Sequence, residues 1–288
     1  MTTATHHRAG AALPRPLIAI GVPCAGVLLI AIFLIRGFPY DKLGQLITNR
    51  IEQSHGIRLV VGHVGPALQL AGPALEATQL RATFPGQSPQ QIERALVRPA
   101  WSLSWFAGEP ALHVEVDSPS GRANGTLRWN GVTSWEGTLR DAQPELPPIA
   151  DWIPTGGLAG TLDATVDVSM GEAGLEGLVE FEIRDGSISL PKFSVPLPFE
   201  NLKGAVTLGG DAYAKLTSLT FDGPATSGSG TGKIGLAKKM DQAPIGFEFQ
   251  FKVEPELSGA VRKAGLKIDS EGAGTAKVSG TVAKPKIR

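Results

Sequence analysis

Three histidines stand in the body of the chain, His55, His63 and His113. A metal would need them at one point, joined by ligand-spaced cysteine or carboxylate. They fall in separate elements, and the sole cysteine, Cys24, lies in an apolar run near the start. The adjacent His6 and His7 make a poor ligand set on their own. Gly228-Ser-Gly230-Thr-Gly232 has the look of a phosphate loop, but such a loop follows a strand, opens a helix and carries Lys and Ser/Thr at fixed offsets. This stretch instead precedes the strand-like Lys233-Ile-Gly-Leu236 and reads as a flexible lead-in to a strand. Asp163 with Asp167, and Glu180 with Glu182, recur at a spacing of two or four and can share a sheet face. Paired carboxylates work in catalysis when a cleft drives their pKa values apart. On alternating strands they read as a solvated face. No G-x-S-x-G elbow or thiol nucleophile is present in the body. The sequence supplies no catalytic constellation and calls for no metal or cofactor, so the expected class is not an enzyme.

The side chains with something to offer are apolar. In Pro244–Pro255, Phe247, Phe249, Phe251 and Val253 alternate with Glu248, Gln250, Lys252 and Glu254. Period two gathers the aromatics on one face of a strand. Three aromatics in succession exceed what strand propensity alone requires, and they are expected to line the concave side of a sheet.

The elements that would position them follow a change of period. Pro16–Ile35 contains no charge and no strongly polar side chain, and about 20 helical residues span about 30 Å of hydrocarbon. Pro23 within it is tolerable in a bilayer. It ends in Ile32-Phe-Leu-Ile-Arg36 without a small-x-small cleavage site, so it reads as an uncleaved single-pass anchor. Residues 37–56 then show Leu43, Leu46, Ile47 and Ile51 at helical spacing, with Pro39 in the first turn and Gly56 at the stop. That amphipathic helix is expected to rest on the open end of a sheet.

From residue 57 the period is two. Strands are expected at 57–64, 73–84, 92–99, 111–118, 121–130, 134–141, 158–169, 174–186, 199–209, 212–223, 226–236, 244–255 and 272–282. Leu103, Trp105 and Phe106 suggest an apolar turn, 146–154 a short helix bearing Trp152, and 255–266 a second helix. A unit of apolar or small residue, x, Gly, x, apolar recurs around Gly125, Gly137, Gly160, Gly177, Gly204 and Gly280. Glycine within a strand allows a bulge or a sharp coil. The organisation is therefore a tail (1–15), an anchor (16–36), a juxtamembrane helix (37–56) and a β-rich body (57–288).

The totals agree with this class. Gly (36) and Pro (22) are abundant without collagen periodicity, as many turns and short strands demand. Lys plus Arg (27) equals Asp plus Glu (27), and nothing in the sequence suggests the basic face with interleaved aromatics that nucleic acid would need. Two basic residues on each side of the anchor, Arg8 and Arg15 against Arg36 and Lys42, leave orientation unset by charge.

Anchor, amphipathic helix, Ile57-Arg-Leu-Val-Val-Gly-His-Val64 and Leu75-Glu-Ala-Thr-Gln-Leu80 together resemble the AsmA-like proteins of the bacterial envelope. The ending Val278-Ser-Gly-Thr-Val-Ala-Lys-Pro285 is similar to their closing strand, and the size and single-anchor plan are similar to the GspN proteins, component N of type II secretion systems. The resemblance implies an inner-membrane anchor, a periplasmic body and an elongated, strongly coiled antiparallel β-sheet forming an apolar groove with short capping helices. It implies a structural or interaction subunit of a secretion complex with other secretion subunits as partners. The alternative is a lipid-binding or lipid-transfer module. In that case Val166, Val168, Val179, Phe181 and Ile183 should join Phe247, Phe249 and Phe251 on one face that takes lipid acyl chains.

Overall fold

The computed structural model describes residues 37–70, 72–85, 88–100, 108–129, 131–146, 157–171, 174–189, 196–210, 212–237, 242–263 and 266–287. The expected tail and anchor, the apolar turn at 103–106 and nearly all of the helix at 146–154 lie outside these residues.

Helix α1 (Tyr40–His55) leads into fifteen antiparallel strands, interrupted by helix α2 (Pro255–Lys263) between β13 and β14. The strands are β1 (Arg58–Val60), β2 (His63–Gln69), β3 (Gly72–Thr83), β4 (Gln90–Pro99), β5 (Ala111–Ser118), β6 (Gly121–Trp129), β7 (Thr133–Ala142) and β8 (Leu158–Gly171). They continue as β9 (Gly174–Ile188), β10 (Leu197–Leu208), β11 (Ala212–Asp222), β12 (Thr226–Gly235), β13 (Pro244–Val253), β14 (Ala273–Thr281) and β15 (Lys284–Ile287). All belong to one sheet in chain order from β3 to β15, with β1 and β2 both paired to β3. Strand spacing near 4.8 Å makes this path about 60 Å long. The mainly-β, elongated antiparallel class read from the sequence is the one observed.

Two details depart from expectation. The single strand expected at 57–64 is split into β1 and β2 at Val61–Gly62. Opposite the break, Gln79 of β3 adopts φ 56°, and a Cβ on Gly62 would lie 2.9 Å from the Gln79 Cβ. The bulge at Gln79 thus ends one partner and admits the other. The four-residue β15 was not expected, because Lys284-Pro-Lys-Ile287 has no alternation and includes a proline. As a sheet-edge strand it tolerates that proline.

Successive hairpins alternate between two long rims. One carries the turns after β3, β5, β7, β9, β11 and β13 and is rich in proline, including Pro85, Pro119, Pro144, Pro196, Pro224 and Pro255. Bulges occur beside it at Asp141 (φ 51°), Asp185 (φ 50°) and Gly160 (φ 132°), with register shifts at Leu139/Ala142 and Ala159/Thr161, while further shifts at Ala205/Val206, Ala212/Ala214 and Leu216/Leu219 lie away from it. Bulges sharpen twist and bend a strand, so the sheet curls along this rim. The buried cluster of Ile183, Phe199 and Leu202, with Leu158, Ile188 and Phe221 packed on it, lies at that curl.

At the start of the sheet α1 rests on β1 and β2, as its amphipathic pattern led one to expect. Gly44 is the seat, for a Cβ there would lie 3.1 Å from Val64 Cγ2. Gly56 takes the left-handed conformation (φ 67°) and its N–H caps the Glu52 carbonyl, the C-terminal stop that the sequence signals. Pro39 is the residue before the helix, not within its first turn, and Leu46 of the expected stripe faces solvent.

Candidate functional site: a one-sided apolar face

Directly opposed residues in antiparallel strands project to the same face, so the register assigns faces without ambiguity. Starting from Phe251 on β13, the row runs through Gly228, Phe221, Leu202, Ile183 and Leu162. A parallel row runs from Phe249 through Gly230, Leu219, Gly204, Phe181, Ala164, Leu139, Ala123, Val116, Ala95 and Ala77 to Val64. Val166 sits opposite Val179, and Val168 opposite Trp135 and Gly177. All eight residues named from the sequence, Val166, Val168, Val179, Phe181, Ile183, Phe247, Phe249 and Phe251, therefore occupy one face. They form two stretches of it, β8–β9 and β13, joined by Leu202, Val206, Leu219 and Phe221.

Several lining residues escaped sequence reasoning, chiefly the glycines. Cβ atoms at Gly204 and Gly125 would lie 2.5 Å from the rings of Phe181 and Trp135, and at Gly228 and Gly274 they would lie 2.6 and 2.8 Å from those of Phe221 and Phe251. At Gly230 and Gly232 they would overlap Phe249 and Phe247 outright. Each ring lies down across the facing strand, which only a residue without a side chain permits. Phe247 and Phe249 are stacked as a result, centroids 6.2 Å apart and planes 12° from parallel. The Gly228-Ser-Gly230-Thr-Gly232 stretch is thus the middle of β12 and a bed for three rings, not a flexible lead-in to a strand. The recurrent glycine unit divides in two: Gly160, Gly177 and Gly280 have positive φ, whereas Gly125, Gly137 and Gly204 do not and lie beside Trp135 or Phe181.

The opposite face is polar and cross-linked. Arg94 bridges Glu76 (2.5 Å) and Asp117 (3.6 Å), Arg184 meets Asp163 (2.5 Å), Lys203 meets Glu182 (3.2 Å) and Lys277 meets Glu248 (3.1 Å). Hydrogen bonds from Asn201 Nδ2 (2.7 Å) and Lys203 hold the Glu182 carboxyl below the ordinary glutamate range. The hydrogen bond to Glu76 pushes the Arg94 guanidinium further toward its charged form. The carboxylates Asp163, Glu180 and Glu182 border an open polar depression of about 800 Å³ across β7–β11. This depression lies on the polar side, not on the face of Phe247, Phe249 and Phe251 expected to be the concave one. Leu96 is an exception on this side, fully buried between Glu76 and Glu115. His63 and His113 stand on β2 and β5, and His113 pairs with Glu115 at 3.3 Å.

Exposure separates the two faces. Along β13 the phenylalanines are half-buried while Glu248, Gln250 and Lys252 are exposed, and β8 repeats this from Thr165 to Val168. Of the eight residues only Ile183 is fully buried. Substantial backbone contacts among the described residues join neighbouring strands, with α1 on β1 and β2 and a minor approach of β10 to β12. Apart from α1 over Val64, the apolar face carries no substantial second layer among the described residues. Among the described residues no helix is long and apolar enough to cross a membrane, and no cluster of His, Cys, Asp or Glu is arranged to hold a metal. No model of a known protein family, no curated protein and no solved structure matches this chain.

Proposed function

We propose that this chain is a membrane-anchored binder of lipid acyl chains, with Pro16–Ile35 as its anchor and the apolar face of the sheet as its groove. The resemblance to AsmA-like proteins puts the anchor in a bacterial inner membrane and the body in the periplasm. The observation that carries the reading is the one-sidedness of the sheet. A continuous apolar face runs from Val64, where α1 rests on it, to Phe249, and beyond α1 it carries no substantial covering layer among the described residues; large exposed apolar patches mark interaction sites. An acyl chain supplies the missing layer. Burial contributes about 0.8 kcal/mol per CH2, so a dozen methylenes give on the order of 10 kcal/mol gross, enough to offset ordering costs of similar size.

The test is native mass spectrometry of the full chain extracted from membranes, with Phe249→Glu as the variant. An ionised carboxylate in an apolar groove excludes acyl chains, yet it can hydrate where the groove is open. Retained lipid in the parent and its loss in a still-folded Phe249→Glu protein is the expected result. A parent chain that carries no lipid overturns the reading. The second reading, a subunit of a type II secretion complex, draws on the sheet edge. β15 pairs with Val278–Thr281 of β14, and its far side is unpaired among the described residues. Such an edge can add a partner's strand. A lipid-free chain that travels with secretion subunits would select this reading.

A further inference from the structure

The two rims of the sheet differ in chemistry, and the difference points to a surface that the groove itself does not explain. Large apolar side chains exposed at turn tips gather on the rim that carries the turns after β2, β4, β6, β8, β10 and β12: Leu68 (84% exposed), Leu70, Trp129, Val132, Met170 and Leu236. The hairpins β2–β3, β6–β7 and β8–β9 and the end of β12 supply them. On the proline-rich side, Val60 of β1, opposite Arg81 near the end of β3, is the exposed large hydrophobic among the described residues. The tips are one or two side chains each and stand one or two hairpins apart, about 10 Å per hairpin. Such a row lacks the contiguous area that a stable protein dimer buries. A fluid apolar phase can accept it one tip at a time.

Helix α1 says where that phase lies. Its C-terminal stop, Gly56, sits against Pro85 on the proline-rich rim, and Gly44 faces Val64 midway across the sheet. The start of α1 is therefore directed toward the apolar rim, with the exposed Phe38 just ahead of it. The twenty-residue uncharged run ends at Ile35, five residues before Tyr40. The chain thus arrives from its anchor on the side where the apolar tips are.

We infer that this rim is a membrane-inserting edge: the body lies along the bilayer surface, with the tips seated in the lipid interface. Trp129 and Tyr213, amphipathic aromatics favoured at such interfaces, belong to it. Its exposed apolar tips are uncharged, and the turns of this rim hold charges of both signs (Glu109, Glu172, Asp211, Lys238, Lys239, Asp241, Lys284), so the seating is read as hydrophobic. It does not depend on anionic lipid or on low salt. The inference rests on the proposed anchor but not on what the groove carries.

The experiment uses the full chain with Cys24→Ser, reconstituted in phosphatidylcholine vesicles. One cysteine at a time is introduced by Leu68→Cys, Val132→Cys or Leu236→Cys on the apolar rim, and by Pro119→Cys or Ser270→Cys on the other. Each is labelled with an environment-sensitive fluorophore and exposed to nitroxide-bearing lipid. Flotation with the vesicles reports the anchor, and bound-lipid content of the same protein reports the groove, so either can fail separately. The expected result is blue-shifted emission and loss of most intensity to the quencher at the three apolar-rim positions only, unchanged by high salt or by added phosphatidylglycerol. Apolar-rim probes as wet as the controls in a protein that floats would overturn the inference. So would shielding without lipid quenching, accompanied by cross-links between copies, which would make the rim a protein interface.

Discussion

The glycines beneath the aromatic rings allow the sheet register to be tested by the sign of an effect. Gly230 and Gly246 both lie in strands, and neither has a positive φ. A Cβ on Gly246 would meet nothing within 4 Å, whereas one on Gly230 would overlap the Phe249 ring. Replacing a strand glycine with alanine, where the backbone allows it, stabilises by about 0.4–1 kcal/mol through the unfolded state. Gly246→Ala should do this. Gly230→Ala should lose that gain and destabilise, since forcing extra volume into a packed contact costs about 1–3 kcal/mol. Phe249→Ala alone removes a half-buried ring and should cost less than the about 3–5 kcal/mol of a fully packed phenylalanine. In that background the clash is gone, and Gly230→Ala should become neutral or stabilising. The double-mutant cycle should therefore show a coupling of about 1–3 kcal/mol. Urea unfolding of the detergent-solubilised chain, followed by far-UV circular dichroism, provides the midpoints. Equal effects of Gly230→Ala and Gly246→Ala, or no coupling with Phe249, would mean that β12 and β13 are not paired as described, and the assignment of the apolar face would fall with them.

Two further outcomes follow from the outer face and the helix seat. Glu182 is held below its ordinary pKa in the folded protein by Asn201 and Lys203, so its contribution is present above the ordinary glutamate range and is lost as pH falls through the folded value. The parent should thus melt above Glu182→Gln at neutral pH and lose that advantage in acid; an advantage constant across pH would refute the carboxylate's role. Gly44→Leu should lift α1 from Val64, raising hydrogen exchange across Tyr40–His55 while the sheet keeps its protection; unchanged exchange there would mean the helix is seated elsewhere.

Much of this fold was legible because period two is a strong signal where one face is apolar. Strand 111–118 falls where its alternation put it, and the strands from 158 to 282 shift by at most two residues at their ends. The same alternation placed Phe247, Phe249 and Phe251 together. Less legible was whatever depends on a partner strand. The split at Gly62 is caused by the bulge at Gln79, seventeen residues away, and nothing local at Gly62 announces it. The role of Gly228, Gly230 and Gly232 required knowing that Phe221, Phe249 and Phe247 face them. A signal did exist: glycine at every second position in β12 matches phenylalanine at every second position in β13, a complementarity visible only once the hairpin register is assumed.

That complementarity also bears on why the apolar face stays open. In a two-layer protein, large side chains from one sheet fill the space between it and another layer. Here the largest ones lie flat across glycines of their own sheet, so the face covers part of itself. A flattened ring exposes one side and buries the other, which is the half-burial observed for Phe181, Phe221, Phe247, Phe249 and Phe251. The arrangement helps hold the sheet together without a substantial second layer among the described residues, since each ring packs on its glycine bed. Under the proposed function, a body built this way would stay folded without ligand and would accept an apolar chain in any register along its length. Directional polar groups, which would fix a ligand in one pose, are confined to the other face, where Arg94, Arg184, Lys203 and Lys277 are taken up by cross-strand carboxylates.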